Sequence, residues 1–414
     1  MSANIEVNAD QRIVEPDKYK NKVLVASFLA YAMDSLDMAV MAFALPLLVV
    51  SLGVSLVEAS SIAVATNLGS AIGAVLWGPI GDKLGRRKAL LLCISWFTVF
   101  AVACAFAPSI LILSIFRFLS GLGLGGEWTV ASAYLTEFWP PEKRAFATGT
   151  CQSSWAVGWF LGLGVNYLFV PTFGWHVLFL SALIGVIPLV MIYALPESPY
   201  WLQNKDKLVE GKPEKVNYSD LIAPGVRKTF ILASLLCSGA MIAYWGIATF
   251  LPTYLVTTRG LTLQTSTGIL AATYIGSFFG YYFFSWLAER FGRRQEMIIG
   301  SIAGAILTFT FLNIEGGWIY AIIAIMGFVS PGYWAPLSAL LAELAPSTKL
   351  RASFIGVTFG IGKWVVVVVP YAVSGFAATY GMQNALYVTS AFFFLVTISA
   401  YFLKETKGTV FQAD

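Results

Sequence analysis

Residues 81–87 read Gly81-Asp82-Lys83-Leu84-Gly85-Arg86-Arg87, and residues 288–294 read Ala288-Glu289-Arg290-Phe291-Gly292-Arg293-Arg294. An acid, a glycine and two arginines recur in the same order 207 residues apart, half the length of the 414-residue chain. The same offset relates Arg144-Ala145 and Gly149 to Arg351-Ala352 and Gly356, and Glu137 matches Glu343 after a slip of one. Two halves in parallel orientation follow, each with its own copy of the polar cluster. Gly85 permits a tight turn, and Asp82 can pair with Arg86 or cap a helix end.

Between these clusters the chain is apolar. The apolar set makes up 58% of residues and charged residues 12%, about half the charge of a soluble domain. About 240 residues must therefore find a non-aqueous home, more than one globular core can take. They gather into runs of about twenty bounded by charge or Pro/Gly clusters, the pattern of a polytopic membrane protein. Twelve spans are expected, near 23–50, 57–80, 89–107, 109–135, 145–169 and 175–195, then 229–256, 265–287, 296–313, 317–341, 352–375 and 383–403. The fold class is thus an all-α membrane protein of twelve transmembrane helices in two six-helix bundles. This composition excludes a soluble enzyme, a nucleic-acid binder and a secreted disulfide scaffold.

Of the 26 Lys and Arg residues, 23 fall in the tails and alternate loops that share one side, so both termini are expected in the cytoplasm. The others are Arg259 in an opposite loop, and Arg117 and Lys363 inside apolar spans. The expected organisation is a cytoplasmic amino tail at 1–22, bundles at 23–195 and 229–403, a cytoplasmic linker at 196–228 and a carboxyl tail at 404–414. The first 22 residues are polar and the first span lacks a small-residue cleavage site, so no cleavable signal is read there. Cys93, Cys104, Cys151 and Cys237 lie in apolar spans without metal-ligand spacing and read as core thiols. His176 is the only histidine, at the start of the sixth span, and reads as an interfacial residue. No cofactor or metal is expected.

Parallel six-span repeats put a solute site at the midplane and let the halves rock about it, which favours transport over catalysis. The duplicated cluster then reads as a paired latch of Asp82, Gly85, Arg86, Arg87, Glu137 and Arg144 with Glu289, Arg293, Arg294, Glu343 and Arg351. With this loop between the second and third spans, the sequence resembles the major facilitator superfamily, whose signature has the Gly-Asp-x-x-Gly-Arg-Arg form. Arg117 followed by Gly121, Gly123, Gly125, Gly126 and Glu127, and Pro196-Glu197-Ser198-Pro199-Tyr200-Trp201-Leu202, resemble sugar-porter and related symporter motifs. Met33-Asp34-x-x-Asp37 resembles the paired acids of aromatic-acid, sialate and niacin-type carriers. The resemblance implies a proton-coupled symporter of organic solutes, with features of several branches mixed.

Asp34 and Asp37, three apart on a helix, project about 60° from one another on one face. Burial and a like-charged neighbour both favour the neutral form of a carboxyl, so this pair is a candidate proton carrier. Arg117 and Glu127 lie in the otherwise apolar and glycine-rich fourth span and are functional candidates, with a partner such as Asp34 or Asp37 required. The repeat mates of Asp34, Asp37, Arg117 and Glu127 are Met241, Tyr244, Ala324 and Trp334, which confines proton handling to the first half. Lys363 maps back to Ala156, so the second half contributes one buried cation able to hold a substrate carboxylate. Gln152, Trp155 and Trp159, Tyr244 and Trp245, and Tyr333 and Trp334 are the expected aromatic and amide lining.

The resulting expectation is a monomeric transporter in the plasma membrane that imports a small organic acid with a proton, its partners the solute and the lipid bilayer. A proton-coupled or facilitative sugar transporter is the alternative. An exporter or antiporter is a further one, disfavoured because Gly158-Trp159-Phe160-Leu161-Gly162 lacks the glycine-proline pair of such carriers. An intramembrane enzyme would need a nucleophile-base pair or metal cluster that the sequence does not suggest.

Overall fold

A computed structural model describes residues 16–53, 56–203, 218–261, 263–329, 332–348 and 350–409. The expected tails and linker therefore lie partly outside the described residues. The first five spans are the helices Pro16–Leu52, Leu56–Leu84, Arg86–Cys104, Ile110–Phe138 and Arg144–Phe173. The sixth is composite, running through His176–Leu180, a 3-10 stretch at Ser181–Gly185, and Val186–Tyr193. In the second half, Arg227–Thr257, Leu263–Phe291 and Arg293–Asn313 form the seventh to ninth spans. The tenth is broken into Trp318–Val329, the turn Gly332–Trp334 and Leu337–Leu344, and Arg351–Tyr380 and Met382–Phe402 complete the set. Among the described residues, eleven spans are long and apolar enough to cross a bilayer. The eighth, at 29 residues, exceeds the roughly 20 needed.

Several helices outrun their apolar stretch. The first begins at Pro16 rather than near 23, because a helix satisfies its own backbone and can continue into water through Lys18, Lys20 and Lys22. The tenth span restarts at Leu337 directly after Pro336, whose missing N–H is tolerated at a helix start.

Glycine sets how closely the spans approach. A Cβ on Gly125 of the fourth span would lie 2.0 Å from the carbonyl oxygen of Ser70, and one on Gly73 of the second would lie 2.1 Å from that of Leu122. These two spans therefore pack backbone to backbone, the small-residue mode of membrane helices. Gly356 of the eleventh span comes almost as close to the second, where its Cβ would be 2.4 Å from the Ala74 oxygen. The second span packs extensively on the eleventh, and the fifth on the eighth, so these pairs join the two halves around a central space. Gly85 and Gly292, at φ 98° and 113°, turn the chain into the third and ninth spans in a conformation open to glycine.

Gly125→Val should lower the thermal midpoint of the detergent-purified protein, at an overpacking cost of about 1–3 kcal/mol. An unchanged midpoint would mean that the second and fourth spans are not held at this separation.

Candidate functional site

The central cavity lies between the halves and encloses, with its mouth, about 720 Å³. The first half contributes Tyr31 and Asp34, Asn67 and Ser70, Trp128, Gln152 and Trp155. The second contributes Met241, Tyr244 and Trp245, Tyr281, Trp334, Phe359 and Lys363. Aromatic contacts cross from one half to the other: Trp128 stacks on Phe359 with centroids 3.8 Å apart, and Trp155 meets Trp245 edge-on at 6.2 Å. Trp128 Nε1 donates to Gln152 Oε1 at 3.3 Å, fixing that amide. Lys363 Nζ donates across the cavity to Ser70 Oγ at 2.6 Å and lies 5.3 Å from the Phe359 ring centroid.

The two acids of the first span have different surroundings. Asp37 is held by Arg117 through two parallel bonds of 2.6 Å, and Arg117 Nε donates to Thr66 Oγ1 at 3.1 Å. Both are buried, so the pair is a bidentate, desolvated ion pair and supplies the partner that Arg117 requires. Asp34, one turn earlier and also buried, lines the cavity together with Lys363. Glu127 is buried, with neither carboxylate oxygen hydrogen-bonded among the described residues. The expected partner is thus supplied to Arg117 but not, as a hydrogen bond, to Glu127.

Of the expected lining residues, Gln152, Trp155, Tyr244, Trp245, Trp334 and Lys363 meet at the cavity, while Tyr333 does not. Consecutive residues of the tight turn Gly332–Trp334 point in different directions, so Trp334 faces the cavity and Tyr333 packs edge-on against Phe393 at 5.5 Å. Trp159 lies off the cavity, stacked on Tyr274 at 5.1 Å. Sequence reasoning missed Tyr31, Asn67, Ser70, Trp128, Tyr281 and Phe359. A helical walk from the buried charges could have found two of them, because Tyr31 precedes Asp34 by three and Phe359 precedes Lys363 by four. It also missed Glu296, fully buried in the second half with no hydrogen-bond partner among the described residues. Buried ionisable acids are therefore not confined to the first half.

At the end of the bundle carrying the basic loops, the duplicated cluster joins the halves. Arg86 pairs with Asp82 at 3.1 Å and with Glu137 at 3.2 Å, and donates to the Thr348 carbonyl of the other half at 2.9 Å. Glu137 also holds Arg351 at 2.7 Å. Asp82 accepts from Ser353 N at 2.9 Å and Ser353 Oγ at 2.6 Å, so it caps the eleventh span from the opposite half. The second copy mirrors this arrangement. Arg293 pairs with Glu343 at 3.3 Å and donates to the Pro141 carbonyl, and Glu343 faces Arg144 at 3.6 Å. Glu289 accepts from Phe146 N at 2.9 Å, at the start of the fifth span. Phe146 and Ser353 are themselves 207 residues apart.

The second arginine of each pair does something else. Arg87 donates to the carbonyls of Ile192 and Tyr193 at the end of the sixth span, and Arg294 lies over the Tyr401 ring at 5.3 Å. Among the described residues Arg87 and Arg294 are thus not part of the ion pairs between the halves, because the helix turns them about 100° away from Arg86 and Arg293 toward their own bundle. The Pro-Glu-Ser stretch supports the latch: Glu197 accepts from Arg87 N at 2.9 Å, and Ser198 Oγ donates to Glu137. Burial raises the Glu197 carboxyl above its ordinary value, opposed by the Arg87 and Ser198 backbone donors. A counterpart unread in the sequence lies in the carboxyl tail, where Glu405 accepts from Arg293 N at 2.9 Å and Thr406 Oγ1 donates to Glu343 at 2.7 Å.

A cavity built half from each bundle, with the bundles tied together at one end by charges, is the architecture of a membrane transporter of small solutes. The profile of the Major Facilitator Superfamily matches residues 27–312 and 264–413, and the chain belongs to that superfamily. The chain is 29% identical over 95% of its length, and 92% of the relative's, to a probable 4-methylmuconolactone transporter of Cupriavidus pinatubonensis. It is 27% identical to a cis,cis-muconate transport protein of Acinetobacter baylyi, covering 92% of this chain and 93% of that one. Its fold is similar to that of the proton:xylose symporter XylE, with a TM-score of 0.79 at 19% identity over 96% of this chain and 98% of that chain.

Glu137→Gln and Arg351→Gln should each destabilise the protein, while the double variant should cost less than their sum by about 0.5–3 kcal/mol. Strict additivity in thermal unfolding would mean that this ion pair does not couple the halves.

Proposed function

We propose that the protein imports a small organic acid together with a proton, by alternating access, as a monomer in the plasma membrane with both termini in the cytoplasm. The observation carrying this reading is the juxtaposition of Lys363 and Asp34 in one aromatic-lined cavity, each from a different half. A solute carboxylate is the natural partner of a part-buried ammonium whose present acceptor, Ser70, is uncharged. Asp34 is the carboxyl of the acid pair not held by an arginine, which suits it to take up and release the proton. Asp37 with Arg117 then positions the first span, and Glu127 serves as a second acceptor behind Asp34. The ring substituents of the solute would lie against Trp155, Tyr244, Trp245 and Trp334. The relatives named for muconolactone and muconate support an acid as cargo, and the basic loops support the orientation.

In the proposed cycle the ion pairs of Arg86, Glu137 and Arg351 and of Arg293, Glu343 and Arg144 part when the basic end opens, and Asp82 and Glu289 release the helix ends they cap. A sugar-transport reading is favoured by one feature, the hydrogen-bonding set of Asn67, Ser70 and Gln152 on the cavity wall. Lys363 separates the two readings, because a neutral sugar gains little from an ammonium.

Purified protein in liposomes loaded with a pH-sensitive dye tests this directly. Aromatic and unsaturated acids should acidify the lumen in a protein-dependent way, and neutral sugars should not. Asp34→Asn should abolish proton-driven accumulation while sparing counterflow of labelled acid. Lys363→Gln should weaken the acid by about 1.5–3 kcal/mol, roughly tenfold or more in apparent affinity, with little effect on neutral analogues. Equilibration of labelled acid without proton movement would refute the coupling, and equal weakening of acids and neutral analogues would refute the role of Lys363.

A further inference from the structure

A second cavity, of about 750 Å³ including its mouth, lies among the seventh, eighth, ninth, tenth and twelfth spans, wholly inside the carboxyl-terminal half. It is distinct from the central cavity, yet it shares one residue, Tyr244, with it. The Tyr244 ring stands edge-on to Trp245 at 5.4 Å and to Trp334 at 5.8 Å, both of them central-cavity residues. One aromatic side chain is thus a common wall of both spaces.

The second cavity carries no charged side chain among its described lining residues. Two of its hydroxyls are committed to backbone: Thr308 Oγ1 donates to Gly304 O at 2.8 Å, and Ser277 Oγ donates to Thr273 O and Gly327 O, each at 2.9 Å. Apart from Thr273 and the phenols of Tyr244 and Tyr274, the remaining wall is hydrocarbon and ring, including Ile247, Leu307, Met326 and Phe393. Such a space offers little to water, and leaving it empty forfeits dispersion contacts along its whole lining. Its fitting occupant is an apolar group.

We infer that this cavity receives the apolar end of the transported solute, entering past Tyr244 while the carboxylate stays at Lys363, so that the preferred cargo is an acid with an extended hydrocarbon or aryl substituent. This rests on the organic-acid reading above. Lys363, Tyr244 and the second cavity all belong to the carboxyl-terminal half, so anchor and tail travel together. Asp34 and the Asp37–Arg117 pair belong to the other half.

The test is a series of acids of one headgroup and growing tail, benzoate, 4-ethylbenzoate, 4-butylbenzoate and 4-hexylbenzoate, competing with labelled benzoate in proteoliposomes of the full chain. Apparent affinity should rise along the series by up to about fourfold per methylene, the transfer free energy of that group. Ala248→Phe, which fills the second cavity without touching the central one, should bring the longer acids back toward the affinity of benzoate. A flat series in the wild type, which needs no variant to fold, would overturn the inference alone. So would a rise that persists in a folded Ala248→Phe protein, since the tail would then lie elsewhere. Failure of benzoate and of the other aromatic and unsaturated acids alike to bind or move would overturn the organic-acid reading, and this inference with it.

Discussion

Everything in this molecule depends on buried charges that one half presents to the other at the basic end. Arg86, Glu137 and Arg351 are each at least nine-tenths buried, as are Arg144, Arg293 and Glu343. Taking such groups out of water carries a large penalty, repaid only when each finds its partner. The structure meets that condition by exchange: Asp82 caps a helix of the second half, Glu289 caps a helix of the first, and Glu137 binds arginines from both. Such a junction is stable when complete and unstable when part of it is lost, a property suited to an element with two discrete arrangements. In the proposed cycle, water entering the basic end would solvate these groups and offset the ion pairs that are broken.

The two copies are not equal. Pairs around Glu137 are 2.7–3.2 Å long, whereas those around Glu343 are 3.3–3.6 Å. Each copy is buttressed by an acid and a hydroxyl from the segment following its sixth span, Glu197 and Ser198 in one case, Glu405 and Thr406 in the other. The acid sits at a helix N-terminus, where the backbone donors and the dipole both favour it. Gly85 and Gly292 make room: a Cβ there would come within 2.3 Å and 2.2 Å of the Glu197 and Glu405 carboxylates. Glycine is thus required twice over, for its backbone conformation and for this contact. Arg144 Nη1 also donates to the Thr409 carbonyl at 2.7 Å, so the carboxyl tail seals the second copy.

The cavity divides its chemistry unevenly. The first half brings the carboxyls, one tied to an arginine and one facing the cavity, and the second brings the lysine and most of the aromatic wall. Met241 and Tyr244, the repeat mates of Asp34 and Asp37, line the same space. Of their mates in the first half only Asp34 lines it, since Asp37 is turned to Arg117, so the two copies differ in both placement and chemistry. Glu127 and Glu296 are buried acids without a hydrogen-bonding partner among the described residues, one in each half. Such groups are tolerated in a membrane interior chiefly where a function keeps them.

The sequence by itself determined the membrane class, the helical fold and the duplicated architecture, because twenty-residue apolar runs have few other solutions and because the repeat spans half the chain. It also located the acids, arginines and lysine of the site, since an ionisable residue in an apolar run is visible without coordinates. Only the tertiary structure decided which acid Arg117 takes. Asp34 and Asp37 are one turn apart on the same helix, and their different partners follow from the rotation of the first span against the fourth. The same holds for the arginine doublets, where Arg86 and Arg293 reach across and Arg87 and Arg294 turn back, and for Tyr333 and Trp334, neighbours in sequence that face opposite surroundings. A periodic pattern tells which residues share a helical face. What that face meets is set by helix rotation and close backbone contact, and those are fixed by packing over the whole bundle.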